Sequence, residues 1–292
     1  MKRSEIRIRD PFILYENGVY YMYATSGERS LSYYRSEDLK NWDEGRVVFE
    51  IPENFWAYKD VWAGEVHRYK GKYYLFVSLL GRNGLRGTQI AVSDRPDGTF
   101  IPLVDRAVTP LDQSCIDGTL FICDDTPFIL YSHDWPDHYV PEKGAYVGQI
   151  SAQQLSEDLT TPVGEPFCLF ESSDCPYSAE RPAKHCWEGK DVVRYGSDAP
   201  FINRLSDGRL FLTWSPFAAN NYVVLGAVAE DIHGPWTHPE KPLYDNNGGH
   251  AMFFTAFDGT RKMCIHQPEK YPEERTRLLN VVERDGLLAI EL

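Results

Sequence analysis

Five polar side chains stand at the heads of five similar stretches of chain: Asp10, Glu65, Asp117, Asp198 and His250. Four carboxyl groups and an imidazole gathered in one pocket repel and desolvate one another, so such a cluster costs stability unless function maintains it. The same crowding pushes carboxyl pKa values apart. One carboxyl can then serve as a general acid while a neighbour of similar intrinsic acidity serves as a general base. A lone Asp at a strand end is usually no more than a turn cap. Five polar residues at matched positions of a repeat point to a common centre.

The elements that must position them are hairpins. Asp10 leads an apolar run to Tyr15, an Asn17-Gly18 turn and the aromatic return Tyr20–Tyr23. Asn-Gly between apolar runs is a strong hairpin signal because both positions tolerate positive φ. The pattern returns with turns at Lys70-Gly71, Asp124-Asp125, Asp207-Gly208 and Asp258-Gly259. Its starts at 10, 65, 117, 198 and 250 leave intervals of 55, 52, 81 and 52 residues. A period near 50 with about four strands per unit predicts β-propeller blades. A β-sandwich also spaces its strands regularly, but gives no reason for one polar-headed hairpin to recur five times. The expectation is an all-β, five-bladed β-propeller that uses residues 1–292 as a single domain. A corner turn is echoed at Ser36-Glu37-Asp38-Leu39, Ser93-Asp94-Arg95-Pro96 and Ala229-Glu230-Asp231-Ile232, and a last hairpin is expected over 278–290. Residues 171–196, rich in Ser, Pro, Cys and charge, read as one long irregular insertion that explains the 81-residue interval. Such a loop is either a functional rim element or a tolerated surface excursion.

Composition narrows the function. A net charge of −13 argues against nucleic acid and anionic membrane, which need clustered Lys and Arg. With 18 Tyr and 7 Trp, the chain is rich in rings that suit both β-strands and sugar stacking. The cysteines at 115, 123, 168, 175, 186 and 264 form no paired C-x-x-C, so neither a zinc site nor a disulfide framework is indicated. The first residues lack the apolar core of a secretion signal, and no transmembrane span is visible, so a cytoplasmic protein is expected.

Taken in order and spacing, Arg9-Asp10-Pro11-Phe12, Trp62-Ala63-Gly64-Glu65-Val66, Cys115-Ile116-Asp117-Gly118 and Gly248-Gly249-His250-Ala251-Met252 resemble the blade motifs of glycoside hydrolase family 43. The resemblance spans essentially the whole chain. It implies an inverting glycosidase on a five-bladed propeller, acting on arabinose-, xylose- or galactose-containing glycans. It further implies Asp10 as general base and Asp117 as the residue that orients the acid and tunes its pKa. His250 would lie on the axis, as a substrate contact or beside a structural calcium or sodium ion; no cofactor is required for the chemistry.

Two motifs depart from the pattern. Gly64 replaces a proline, and Asp198-Ala199-Pro200-Phe201 stands where Glu-Gly-Pro-Phe is usual. Asp is one methylene shorter, so its carboxyl would sit about 1.5 Å further from the glycosidic oxygen. A misplacement of about 1 Å can cost ~100-fold in rate. Asp198 with an adapted pocket is the expected acid; Glu188 in the insertion and loss of activity are the alternatives.

Further expectations concern the substrate. Glu65 binds a sugar hydroxyl or axial ligand, or pins the channel wall. Trp62 and Trp135 are candidates for stacking on sugar, or for packing between blades. Arg275 and Arg277, in a loop after the last inner hairpin, are placed to reach a hydroxyl or to face solvent. Exo action on a terminal pentose, of the α-L-arabinofuranosidase or β-xylosidase kind, follows if residues 171–196 block one end of the pocket. An open groove favours an endo-arabinanase. A related propeller family acting on galactan-type sugars and a silent glycan-binding propeller remain as rivals. The partner is an oligosaccharide, and the oligomeric state is not set by any motif.

Overall fold

Tight turns lay out the architecture. Asn17 and Gly18 both adopt positive φ, 50° and 84°, as do both residues of Lys70–Gly71 and Asp124–Asp125. That is the turn geometry whose twist matches the strands it joins. At Asp207–Gly208 and Asp258–Gly259 only the glycine is left-handed, and each turn is closed one residue wider, by Gly208 N–H to Leu205 O and Gly259 N–H to Ala256 O.

The computed structural model describes residues 1–291 and shows a five-bladed β-propeller. Blade 1 comprises Phe12–Glu16, Val19–Thr25, Ser30–Ser36 and Arg46–Glu50. Blade 2 comprises Ala57–Tyr69, Lys72–Gly81, Arg86–Ser93 and Ile101–Pro102. Blade 3 comprises Cys115–Cys123, Thr126–His133, Gln149–Leu155 and Pro162–Glu171. Blade 4 has Asp198–Arg204, Leu210–Ser215 and Leu225–Ala229, its outer edge reduced to a bridge between Val228 and Thr237. Blade 5 closes the ring with Gly249–Thr255, Arg261–Gln267, Arg275–Arg284 and Leu287–Ile290. The first strands touch in cyclic order, blade 5 against blade 1, so all five face one axis.

Apolar side chains on alternate strand positions fill the spaces between blades. One cluster joins blades 1, 2 and 5 through Phe12, Met22, Leu75, Val77, Met252 and Cys264. The N-terminal segment seals the ring: Ile6 and Ile8 are buried in that cluster, Ile8 N–H donates to Glu274 O, and Lys2 bridges to Asn41 in blade 1. The corner echo is wider than expected, because Ser156-Glu157-Asp158-Leu159 repeats the turn of Ser36-Glu37-Asp38-Leu39. Leu159 (φ 62°) matches Leu39 (φ 60°), and in each an Asp Oδ1 accepts the N–H two residues on.

The insertion is not irregular. Residues 171–196 form a short turn of 3-10 helix, one turn of α-helix at Pro176–Ala179, and a hairpin of Ala183–Trp187 with Lys190–Tyr195. That hairpin pairs in parallel with Ala145–Val147, which itself pairs with Tyr139–Val140. A four-stranded accessory sheet therefore stands beside blades 3 and 4. The local sequence hid it because half of its pairing comes from the loop at 139–147.

Candidate active site

One residue at matched level in each inner segment takes a left-handed backbone: Asp10 (φ 51°), Ala63 (47°, midway along Ala57–Tyr69, where Asp60 is also left-handed), Asp117 (55°), Ala199 (55°) and His250 (57°). In blades 2 to 5 the pairing register slips across this point, which marks a β-bulge. The bulge turns the residue's own N–H out of the ladder, and in four blades a side chain from a neighbouring blade meets it. Asp117 N–H donates to Ser78 Oγ (2.8 Å), and His250 N–H donates to Ser215 Oγ (2.9 Å). Ala199 N–H donates to Asp117 Oδ2 (3.0 Å), and Asp10 N–H points at His266 Nδ1 (3.3 Å). A left-handed non-glycine residue costs on the order of 1–3 kcal/mol, so these bonds hold a strained ring in place.

The ring corrects the expected phase. Asp10, Asp117 and His250 share the bulge position, whereas Asp198 lies one residue ahead of it, level with Trp62. Glu65 lies two residues beyond, level with Thr119 and Phe201. It is buried against His67 Nε2 at 2.9 Å and does not line the cavity. That places its side chain in the channel wall. Gly64 follows from packing, because a Cβ there would lie 2.7 Å from the Leu31 side chain.

Asp10, Asp117, Asp198, Trp62, Tyr222 and His250 line one cavity of about 460 Å³, with Arg7, Ile8 and Arg9 at its blade 1 side. Asp10 Oδ1 lies 3.2 Å from the Nδ1 atoms of both His250 and His266. Arg9 Nε stands 3.5 Å from Asp10 Oδ2, and Arg9 Nη1 donates to Glu269 Oε1 at 2.6 Å. Burial opposes ionisation of Asp10, but the imidazole of His250 and the guanidinium of Arg9 outweigh it and hold the carboxyl well below its usual range. The opposite holds across the cavity. Burial, then the charge of Asp134, push Asp198 up to about 6, against the pull of Arg194. Burial and the charges of Asp198 and Asp10 raise Asp117 well above its ordinary value, partly offset by the Ala199 N–H.

Five further side chains shape this centre, and none was marked by a local motif. Tyr222 is fully buried, donates its hydroxyl to Asp198 Oδ2 (3.3 Å) and stacks on His266 at 5.4 Å. Gly249 leaves that ring its space, since a Cβ there would come within 2.6 Å of it. His266 Nε2 meets Glu269 Oε2 at 2.5 Å. Arg194, delivered by the accessory sheet, lies 4.8 Å from the ring centres of both Trp135 and Phe217. Asp134, ahead of Trp135, is itself pushed up to about 6 by burial and by Asp117.

Other expectations fall away from the cavity. Trp135 is 6% exposed and lies under Arg194 among Tyr146, His185 and Trp187, so it is a packing residue and offers no sugar face. Arg277 lies within a strand rather than a loop, faces solvent and does not line the cavity. Arg275 spends its donors on the Ser4, Pro272 and Glu274 carbonyls. Glu188 is the exposed left-handed turn residue of the accessory hairpin. No residue of 171–196 lines the cavity among the described residues. Trp62 does line it, 38% exposed, with Arg86 4.1 Å from its ring. No group of three His, Cys, Asp or Glu side chains is arranged for a metal ion among the described residues. No chemistry below is routed through an axial ion beside His250.

The sequence pattern described as Glycosyl hydrolases family 43 matches residues 4–287. An endo-arabinase structure from Bacteroides thetaiotaomicron VPI-5482 is 34% identical, with 98% of each chain covered and a TM-score of 0.88. A thermostable family-43 glycoside hydrolase, 24% identical over 98% of this chain and 93% of its own, superposes with a TM-score of 0.84 and supports the fold. Xylosidase/arabinosidase 43A of Humicola insolens is 33% identical over 86 residues, 29% of this chain and 25% of that protein. Extracellular endo-alpha-(1->5)-L-arabinanase 1 of Bacillus subtilis (strain 168) is 29% identical over 144 residues, 44% of each. The chain thus spans a quarter to under half the length of these two curated relatives.

Proposed function

The chain belongs to glycosyl hydrolases family 43, and from that premise we propose that it hydrolyses α-L-arabinofuranosyl linkages with inversion, attacking within a chain. The observation that carries the reaction is a single cavity faced by Asp10, held ionised, and Asp198, pushed up to about 6. Asp10 takes a proton from a water that attacks the anomeric carbon on one face of the sugar. Asp198 gives its proton to the departing glycosidic oxygen on the other. Asp117 Oδ2 lies 3.8 Å from His250 Nδ1 and accepts the Ala199 N–H next to Asp198. An inverting pair needs carboxyls about 6.5–9.5 Å apart to admit the water.

The proton of the Asp117–Asp198 pair belongs on Asp198. Asp117 Oδ2 accepts a backbone N–H, which favours charge there, and the Tyr222 hydroxyl on Asp198 Oδ2 leaves the other oxygen to carry the proton. Glu188 has no part in this reading, because it lies at an exposed hairpin turn. The similarity to an endo-arabinase over 98% of the chain supports an arabinan-type substrate. A cavity that residues 171–196 do not line supports internal over terminal attack.

The test is hydrolysis of linear arabinan, arabino-oligosaccharides and aryl α-L-arabinofuranoside, β-D-xyloside and β-D-galactoside, with proton NMR of the first-formed anomer. Asp10→Asn should lower kcat by about 10²–10⁴-fold on every substrate. Asp198→Asn should lose that much on arabinan but far less on aryl glycosides with good leaving groups, which need little protonation. Release of monosaccharide alone would replace internal attack by exo action. Glycan binding without turnover would identify a silent propeller, the reading that the shortened acid favours.

A further inference from the structure

Two aromatic rings, Trp62 on the wall of the cavity and Tyr271 against the lining residue Arg7, are built in the same way. Trp62, on the cavity wall, has Arg86 4.1 Å from its ring, and Arg86 is held by Asp60 at 2.7 Å. Tyr271 has the cavity-lining Arg7 4.3 Å from its ring, and Arg7 is held by the buried Glu274 at 3.2 Å. A single exposed aromatic residue is ordinary on a protein surface. Tyr271, 75% exposed, differs in how firmly its loop is tied to the reaction centre. Glu269 bonds Arg9 and His266, and its own N–H reaches Asn247 O at 3.0 Å. At the other end the Glu274 carbonyl accepts the Ile8 N–H. The loop 268–274 is therefore fastened at both ends to residues that line or support the cavity.

We propose that Tyr271, backed by Arg7, is the platform of an outlying subsite that stacks a sugar residue remote from the bond being cleaved, in a pentose oligosaccharide long enough to run from the cavity across Arg7. The inference rests on the glycosidase reading and deepens it. Arg7 covers one part of the ring and leaves the rest to solvent, where the apolar face of a furanose or pyranose can lie against it. A cation behind an aromatic ring is a stable arrangement, and a ring fixed before binding loses little freedom on contact. Arg7 also offers donors to hydroxyls at the boundary between cavity and platform. Short substrates that end inside the cavity do not meet the ring.

The experiment compares kcat/KM over arabino-oligosaccharides of increasing length for wild type, Tyr271→Ala and Tyr271→Phe. Losing one stacked ring is worth about tenfold, so Tyr271→Ala should lower the advantage of a pentasaccharide over a disaccharide about tenfold, through KM. Tyr271→Phe, which keeps the ring, should retain that advantage. A second readout needs no turnover: calorimetric titration of arabino- and xylo-oligosaccharides into Asp10→Asn protein, with and without Tyr271→Ala. Length-dependent affinity lost with the ring supports the platform in either series. If xylo-oligosaccharides alone show it, the platform stands and the arabinan reading falls. Equal losses on short and long chains, no loss, or no binding of either series overturns the platform.

Discussion

Asp198 is governed by two charged neighbours that came from elsewhere in the chain. Asp134 precedes Trp135 at the end of a blade 3 strand, and Arg194 arrives on the accessory sheet. After burial, Asp134 is the strongest influence raising the acid, and Arg194 the strongest opposing it. Because Asp198 must hold a proton to act, activity should fall as pH rises through about 6. Asp134→Asn removes a negative charge that favours the protonated acid, so the basic limb of kcat/KM should move to lower pH. Arg194→Met removes a positive charge that favours the ionised acid, so the same limb should move to higher pH. The acidic limb, set by Asp10, should lie below the ordinary carboxylate range in all three proteins. Shifts in one common direction, or none, would count against Asp198 as the acid.

The bulge is the element that turns strands into a site. A regular strand would send alternate side chains into the channel and between blades. The left-handed residue breaks that alternation, so Arg9 and Asp10, or Ile116 and Asp117, can both face the cavity as neighbours in sequence. Its cost is an N–H that the ladder no longer satisfies, and Ser78 and Ser215, from blades 2 and 4, answer it for Asp117 in blade 3 and His250 in blade 5. Ser78→Ala leaves the Asp117 N–H buried and unpaired, a loss of about 1–3 kcal/mol. Urea denaturation should show that loss. On the proposed mechanism Asp117 positions the acid, so the steady-state effect should fall on kcat rather than KM. A stability loss with kcat unchanged would separate the bulge bond from the placement of Asp117.

At the scale of the whole molecule, the ring must close on itself, since blade 5 is built entirely from the last strands. Closure falls to the first residues, which lie across blades 1 and 5 with Ile6 and Ile8 in the shared core. Ile6 is buried and lines no part of the cavity, so it tests closure without touching the chemistry. Ile6→Ala should cost about 2–5 kcal/mol, with a single cooperative transition at lower denaturant. A loss confined to blade 5 signals, with blades 1 to 4 unaffected, would mean that the ring does not depend on this seam.

The blades were legible because their signals are local. Turn pairs such as Asn17-Gly18 and Lys70-Gly71 sit where positive φ is needed, and the 50-residue period follows from one hairpin written five times. Asp10, Asp117, Asp198 and His250 were legible for the same reason, each heading its blade. What local pattern could not supply was phase and company. A one-residue slip at the bulge set Asp198 ahead of the ring and sank Glu65 beneath it, against His67. Trp135 looked like a platform until the accessory sheet laid Arg194 over it, while Tyr271 looked like nothing in particular. Tyr222, Arg194 and the pair His266 and Glu269 reach the centre from three separate segments. Hydrogen bonds and charges act across the few ångströms that remain once the ring has closed, and those distances exist only in the folded chain.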